Sequence, residues 1–280
     1  MPELPEVETV KRGIIPLLEG RRLFQVIQRR DNLRIPLPDN FAGRLRGRKV
    51  EQITRRAKYL LLHLDQNQIL ICHLGMSGKM TLQASEDRST PDIFDKHDHI
   101  ILETDRHDLV IYNDPRRFGL MTLCHQDELE QHPLFCNMGP EPLGNEFNGQ
   151  YLYERIKNRR SPIKTILLDQ RVVVGLGNIY VCEALFQAAI SPIKKAADLS
   201  RADVDKIVPI IRQILTEAIA AGGSTLKDYA RVDGELGYFQ HHFNVYGREG
   251  ETCPNSGCRR KIARLIQSNR STFHCPACQV

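Results

Sequence analysis

With 280 residues, 41% of them apolar and 26% charged, the chain is long enough for two domains and a small appendage, and its composition is not that of a disordered protein. No apolar run approaches the ~18–20 residues of a membrane helix, and MPELPEVETV lacks the basic start and apolar stretch of a signal peptide, so a soluble, cytoplasmic protein is expected. Net charge is only +5, but fourteen Lys/Arg face four Asp/Glu between Lys11 and Lys58, and six face two over residues 241–280, which suits a polyanion held from both ends. Two solvated basic faces satisfy the same count.

Residues 2–18 read as a helix. Pro5 suits the first turn, Glu3, Glu6 and Glu8 suit the positive end of the dipole, and Leu4, Val7, Val10, Ile14 and Leu17 form one stripe. After Gly20 the pattern changes to short β-type runs separated by Gly, Pro and Asn: Leu23–Gln28, Tyr59–Leu64, Gln68–His73, Lys79–Leu82, Asp98–Glu103 and Asp108–Tyr112. Such runs predict a sandwich or barrel against which the helix lies. From about residue 127 the periodicity is helical, with Tyr151–Asn158, Ile163–Asp169, Gly177–Ala188 and Arg201–Ala220, the last ended by Gly222-Gly223. Residues 222–240 read as a long loop, of the kind that is usually functional or disordered.

Of eight cysteines, Cys72, Cys124, Cys136 and Cys182 sit in apolar surroundings and read as buried small hydrophobes. The other four follow the pattern Cys253-x4-Cys258-x16-Cys275-x2-Cys278, two thiol pairs able to fold over one tetrahedral Zn²⁺ at about 2.3 Å per ligand. Metal binding would supply the folding energy that so small a tail cannot draw from a core. Between the pairs, Lys261–Ile266 and Ser271–His274 read as strands turning at Ser268-Asn269, which puts Arg270 beside the hairpin tip. An Arg there is either a solvated turn residue or a bidentate phosphate ligand.

Seven ordered blocks besides the opening MPELPEVETV carry a family resemblance: RRAKYLLL (55–62), HLGMSGKM (73–80), YNDPRRFG (112–119), VVGLGNIYVCEALF (173–186), GGSTLKDY (222–229), GYFQHHFNVYGREGETC (237–253) and STFHCPACQ (271–279). The whole chain resembles the bacterial formamidopyrimidine-DNA glycosylases. The resemblance implies an α+β multidomain fold: N-terminal helix plus β-sandwich (1–126), a helical domain with a helix–two-turn–helix motif and a lesion-recognition loop (127–235), and a C-terminal zinc-finger β-hairpin (236–280). It implies a base-excision enzyme that removes oxidised purines from double-stranded DNA and cleaves the abasic site. One structural zinc ion, no organic cofactor, no membrane and nothing beyond a monomer are expected.

The residues fit that chemistry. Once the initiator Met is removed, Pro2 is a secondary amine with a pKa of roughly 8, and its neutral form is a nucleophile toward C1′. Glu3 is implied as the acid that opens the sugar ring, with Glu6 as a structural partner or proton relay. Lys58 is implied to contact the phosphate 3′ of the lesion and assist elimination, and His73, Asn178 and Arg270 match other phosphate contacts. Met76, Arg116 and Phe118 match the side chains that fill the hole left by an extruded base, with Arg117 a phosphate contact or structural pair. Backbone N–H groups around Ser224–Tyr229 are expected to read the flipped base, and Lys164 and Asp169 to give support. One departure stands out: the first knuckle has four intervening residues where the family commonly has two. Two alternatives share parts of this pattern. Endonuclease VIII-like glycosylases use the same amine chemistry on oxidised pyrimidines but tend to begin PEGPE, and a non-catalytic zinc-ribbon paralogue would have no need of Pro2, Glu3 and Lys58.

Overall fold

Pro5, in the first turn, pre-sets the backbone of α1 (Leu4–Leu18), and the Glu6 side chain reaches back to accept the Glu3 N–H at 2.8 Å. Its buried stripe is Leu4, Val7, Val10, Ile14 and Leu18. The sequence stripe ended on Leu17, which is only partly buried, because the helical period brings Leu18 under Ile14. The computed structural model describes residues 2–87, 93–224 and 238–280.

The chain divides into two compact units, Met1–Cys136 with Ala221–Tyr238, and Asn137–Ala220 with Phe239–Val280. In the first, β1 (Leu23–Gln28), a short α2 (Phe41–Leu45), β2 (Val50–Arg56), β3 (Tyr59–Leu64), β4 (Gln68–His73), β5 (Lys79–Gln83), β6 (Asp98–Thr104), β7 (Leu109–Asn113) and β8 (Leu120–His125) follow α1. They form two antiparallel four-stranded sheets in the orders β1-β6-β7-β5 and β2-β3-β4-β8. Val10, Ile14 and Leu18 of α1 share one core with Leu60 and Leu62 of β3, Leu70 of β4 and Ile100 of β6, so the helix closes the sandwich. Strands β2 and β8 and helix α2 went unread in the sequence. In β2 an irregularity between Val50 and Gln52 breaks the alternation that marks a half-buried strand.

In the second unit, α3 (Gly149–Ile156) is capped by the Asn148 side chain, and α4 (Ile163–Leu167), α5 (Asn178–Gln187) and α6 (Arg201–Ala220) follow. Residues 179–186 of α5 are all buried, so this helix is the axis of the unit. The hairpin β9 (Ala263–Gln267) and β10 (Arg270–His274) turns at Ser268 and Asn269, both with positive φ (48° and 59°), as a two-residue turn with right-handed twist requires. The fold is therefore α+β: helix and sandwich, helical region, Cys-bearing hairpin. Cys72, Cys124 and Cys182 are buried, but Cys136 is exposed, because it lies in a turn beyond β8 rather than within a strand or helix.

Candidate active site and nucleic-acid interface

Pro2 and Glu3 are buried at the mouth of α1, and Glu6 one turn on is 2% exposed. The two oxygens of Glu6 are committed to orientation. Oε2 accepts from Glu3 N, and Oε1 accepts from both the backbone N–H (2.8 Å) and hydroxyl (2.9 Å) of Ser224. Gly223, at φ +77°, lies so close that a Cβ there would come within 3.2 Å of the Glu6 side chain. Glu6 is thus a strut tying the chain start to the beginning of the 222–240 stretch. The rest of the expected base-reading segment, residues 225–229, lies outside the described residues, as do residues 230–237.

Lys58 occupies the two-residue turn between β2 and β3, beside Ala57 at φ +55°, and is 7% exposed. It is no ordinary edge lysine. The turn is braced by Arg55, whose Nη1 donates to the Ala57 carbonyl (2.8 Å) and whose Nε pairs with Glu8 of α1 (3.0 Å). Burial alone would raise the Glu8 pKa, but pairing with Lys11 and Arg55 outweighs it and holds the carboxyl below its ordinary value. The sheet register sets Tyr59 opposite His73, bringing His73 and Lys58 together. His73 is pushed down to about 4, by burial first and then by the charges of Lys58 and Arg34. Its Nδ1 accepts the Gly75 N–H at 3.0 Å, which leaves the neutral ring with Nε2–H as its donor.

Met76 and Phe118 are among the exposed large apolar side chains, at 37% and 44%. The Arg116 guanidinium stacks 4.8 Å over the Phe118 ring. The loops bearing them touch closely, for a Cβ on Gly75 would meet the Phe118 carbonyl carbon at 2.3 Å. Arg117 sits at φ +54°, its N–H donating to the Asp114 carbonyl.

In the second unit Asn178 begins α5, but its amide donates to the Ser271 carbonyl of β10 at 2.7 Å. Lys164, 1% exposed, donates to the same carbonyl (3.2 Å) and to Thr272 Oγ1 (2.6 Å). Arg270, one residue before, is exposed at the strand's start. Lys164 and Asn178 therefore hold the backbone next to Arg270. Asp169 instead pairs with exposed Arg171 at 2.8 Å. A second anchor escaped sequence reasoning. Buried Glu183 of α5 accepts four N–H donors, from the Asn244 backbone and amide and from Val245 and Tyr246, at 2.8–3.0 Å. Its only signal was an acid amid the otherwise apolar turns of α5.

The four tail thiols lie within 4.8 Å of one another. Cys253 Sγ stands 3.8 Å from Cys278 Sγ, and Cys258 Sγ 3.7 Å from Cys275 Sγ. A tetrahedron of sulfurs about 2.3 Å from a central zinc has edges of about 3.8 Å, so the donor set fits one Zn²⁺. The longer first knuckle removes no ligand.

The profile of the formamidopyrimidine-DNA glycosylase N-terminal domain matches residues 1–121, and that of the same family's H2TH domain matches 138–230. The chain belongs to the formamidopyrimidine-DNA glycosylase family. Curated members from Jannaschia sp. and Dinoroseobacter shibae are 53% and 51% identical, each with both chains covered in full. The crystal structure of the MutM (Fpg) protein from Thermus thermophilus superposes with a TM-score of 0.86 at 38% identity over 99% of this chain and 98% of that one. A Lactococcus lactis Fpg variant in complex with Fapy-dG containing DNA gives 0.90 at 33% identity over 99% of both chains. The Lactococcus lactis Fpg complex with abasic-site DNA gives 0.88 at 34%, with the same coverage. Among the described residues, no helix is long and apolar enough to cross a membrane.

Proposed function

We propose that this family member is a bifunctional DNA glycosylase and abasic-site lyase that removes oxidised purines, 8-oxoguanine and formamidopyrimidines, from duplex DNA in the bacterial cytoplasm, acting on nucleoid DNA. The observation that carries it is the buried Pro2–Glu3 pair, held by Glu6 and standing in the same unit as Lys58 and His73. Family relatives crystallised on Fapy-dG and abasic DNA support the substrate class.

With Met1 removed, the neutral Pro2 nitrogen attacks C1′, and the bond from C1′ to the base breaks with the electron pair leaving on the base, which takes up the proton shed by the Pro2 nitrogen. Glu3 gives its proton to O4′ and the sugar ring opens, leaving an iminium cation between Pro2 and C1′. The cation withdraws electrons as a proton leaves C2′ and the 3′-phosphate departs. A second elimination expels the 5′-phosphate. Lys58 stabilises charge on the departing 3′-phosphate, and His73 donates to a phosphate from its neutral ring. Met76, Arg116 and Phe118 fill the vacated stack, replacing part of the few kcal/mol lost on base extrusion. Asn178 and Arg270 contact phosphates of the same duplex. Residues 1–126 carry the chemistry, 127–235 the helical DNA contacts and 236–280 the zinc hairpin. Zinc held by Cys253, Cys258, Cys275 and Cys278 is structural: it orders the hairpin and takes no part in bond breaking.

Borohydride reduction in the presence of 8-oxoguanine or thymine glycol duplexes tests this reading. The expected result is a covalent adduct with the purine substrate, lost in Pro2→Gly while DNA affinity is largely kept. Preference for thymine glycol would instead assign the pyrimidine-specific sister activity, and absence of any adduct from protein lacking Met1 would leave a DNA-binding module.

A further inference from the structure

Asp114 is wholly buried, and its carboxylate joins two loops that are remote in sequence. Oδ1 accepts from the Ser77 hydroxyl at 2.7 Å, next to Met76. Oδ2 accepts from the Gly119 N–H at 2.8 Å, next to Phe118, and from the Tyr112 hydroxyl at 3.0 Å. Ser77 Oγ in turn accepts the Arg116 N–H at 3.3 Å, and the Asp114 carbonyl is held by His99 Nε2 at 2.9 Å. Burial, reinforced by the Asp114 charge, pushes the Tyr112 phenol up, so it stays a donor. The glycines complete the fit. A Cβ on Gly119 would overlap the Tyr112 hydroxyl, and one on Gly78 would meet the Leu74 carbonyl at 2.2 Å. One carboxylate therefore sets the distance between the backbone bearing Met76 and the backbone bearing Arg116 and Phe118.

We propose that Asp114 is a positioning residue that registers the Met76 loop against the Arg116–Phe118 loop and thereby sets how sharply the enzyme discriminates the base opposite the lesion. This rests on the gap-filling reading of those three side chains. Among the four bases, only cytosine offers two adjacent acceptors, N3 and O2, on its pairing edge to a forked Arg donor. That contact tolerates little displacement, since hydrogen bonds weaken steeply as their angle closes. Uncoupling the loops lets Arg116 wander and costs the contact first.

The test uses full-length protein and duplexes with 8-oxoguanine opposite cytosine or opposite adenine, with excision rates measured on each. Asp114→Ala removes the acceptors of Ser77, Gly119 and Tyr112 together. Ser77→Ala removes both hydroxyl ties, to Asp114 Oδ1 and from the Arg116 N–H, and leaves the Asp114 contacts with Gly119 and Tyr112 in place. Both are expected to lower the cytosine-over-adenine rate ratio by about fivefold or more, the lower end of what one base-edge contact contributes. Cleavage of an abasic site in single-stranded DNA, which has neither opposite base nor stack to fill, is expected to stay near the parent rate. An unchanged ratio in both variants, or equal losses on the single-stranded substrate, would overturn the proposal. Arg116→Ala separates it from the reading beneath it. If that variant leaves the ratio intact, the gap-filling reading is wrong; if it alone collapses the ratio, only the role of Asp114 falls.

Discussion

The two units hold their functional side chains by opposite means. In the first, buried carboxylates do the holding: Glu6 fixes the chain start, Glu8 through Arg55 fixes the Lys58 turn, and Asp114 joins the exposed loops. In the second, the hairpin bearing Arg270 has too small a core of its own and depends on four thiols, helped by Lys164, Asn178 and Glu183. A sandwich already dehydrated by its core can orient polar groups with hydrogen bonds, whereas a hairpin of five-residue strands needs a metal bond.

Zinc removal breaks that contrast most sharply. Structural zinc is worth about 10–16 kcal/mol to the folding of such modules, so chelation is expected to abolish tight DNA binding. Circular dichroism and hydrogen exchange would then show the hairpin open while the sandwich amides stay protected. Loss of protection in both units would show that they are not separately held. Next in size is Glu3→Gln. Removing a positioned acid is expected to slow ring opening, read as single-turnover formation of the borohydride-trapped adduct, roughly 10²–10⁴-fold with little change in DNA affinity. A similar loss of affinity would make Glu3 a structural cap.

Arg270→Ala is a smaller change on the metal-held side. Weaker binding is expected, with the slope of log affinity against log salt shallower by about one. An unchanged slope would remove Arg270 from the phosphate contacts.

The smallest effect belongs to His73. Its folded pKa of about 4 lies below the ordinary value of about 6.5, so the unfolded chain binds the extra proton between those limits. Stability from this group is complete above pH 6.5 and is lost as pH falls toward 4. His73→Gln is expected to flatten that part of the stability–pH curve measured by denaturant titration. A curve identical to the parent's would mean that the ring is not held neutral.

Much of this was legible because local rules and tertiary demand agree. The α1 stripe, the alternating strands and the paired cysteines are periodic, and the ordered blocks from Pro2 to Cys278 carry the family. What escaped reading was set by distant partners. The irregularity at Val50 hid β2, and Cys136 looked like a core residue from composition alone. Asn178, expected at a phosphate, also has its amide on the Ser271 carbonyl, a partner 93 residues away that no local pattern announces. Glu183 and Asp114 are buried acids, and a buried acid needs partners that the local sequence does not name.

By itself, the order of residues determined the family, the place of Pro2, the tetrad of thiols and the alternation of strands and helices, since each depends on spacing of a few residues along the chain. Only the tertiary structure decided which carboxylates are struts, that Lys58 sits in a braced turn beside a neutral His73, and that the two loops rest on one buried Asp114. Those choices depend on hydrogen bonds closed across tens to hundreds of residues, where burial fixes the geometry and sequence distance carries no information.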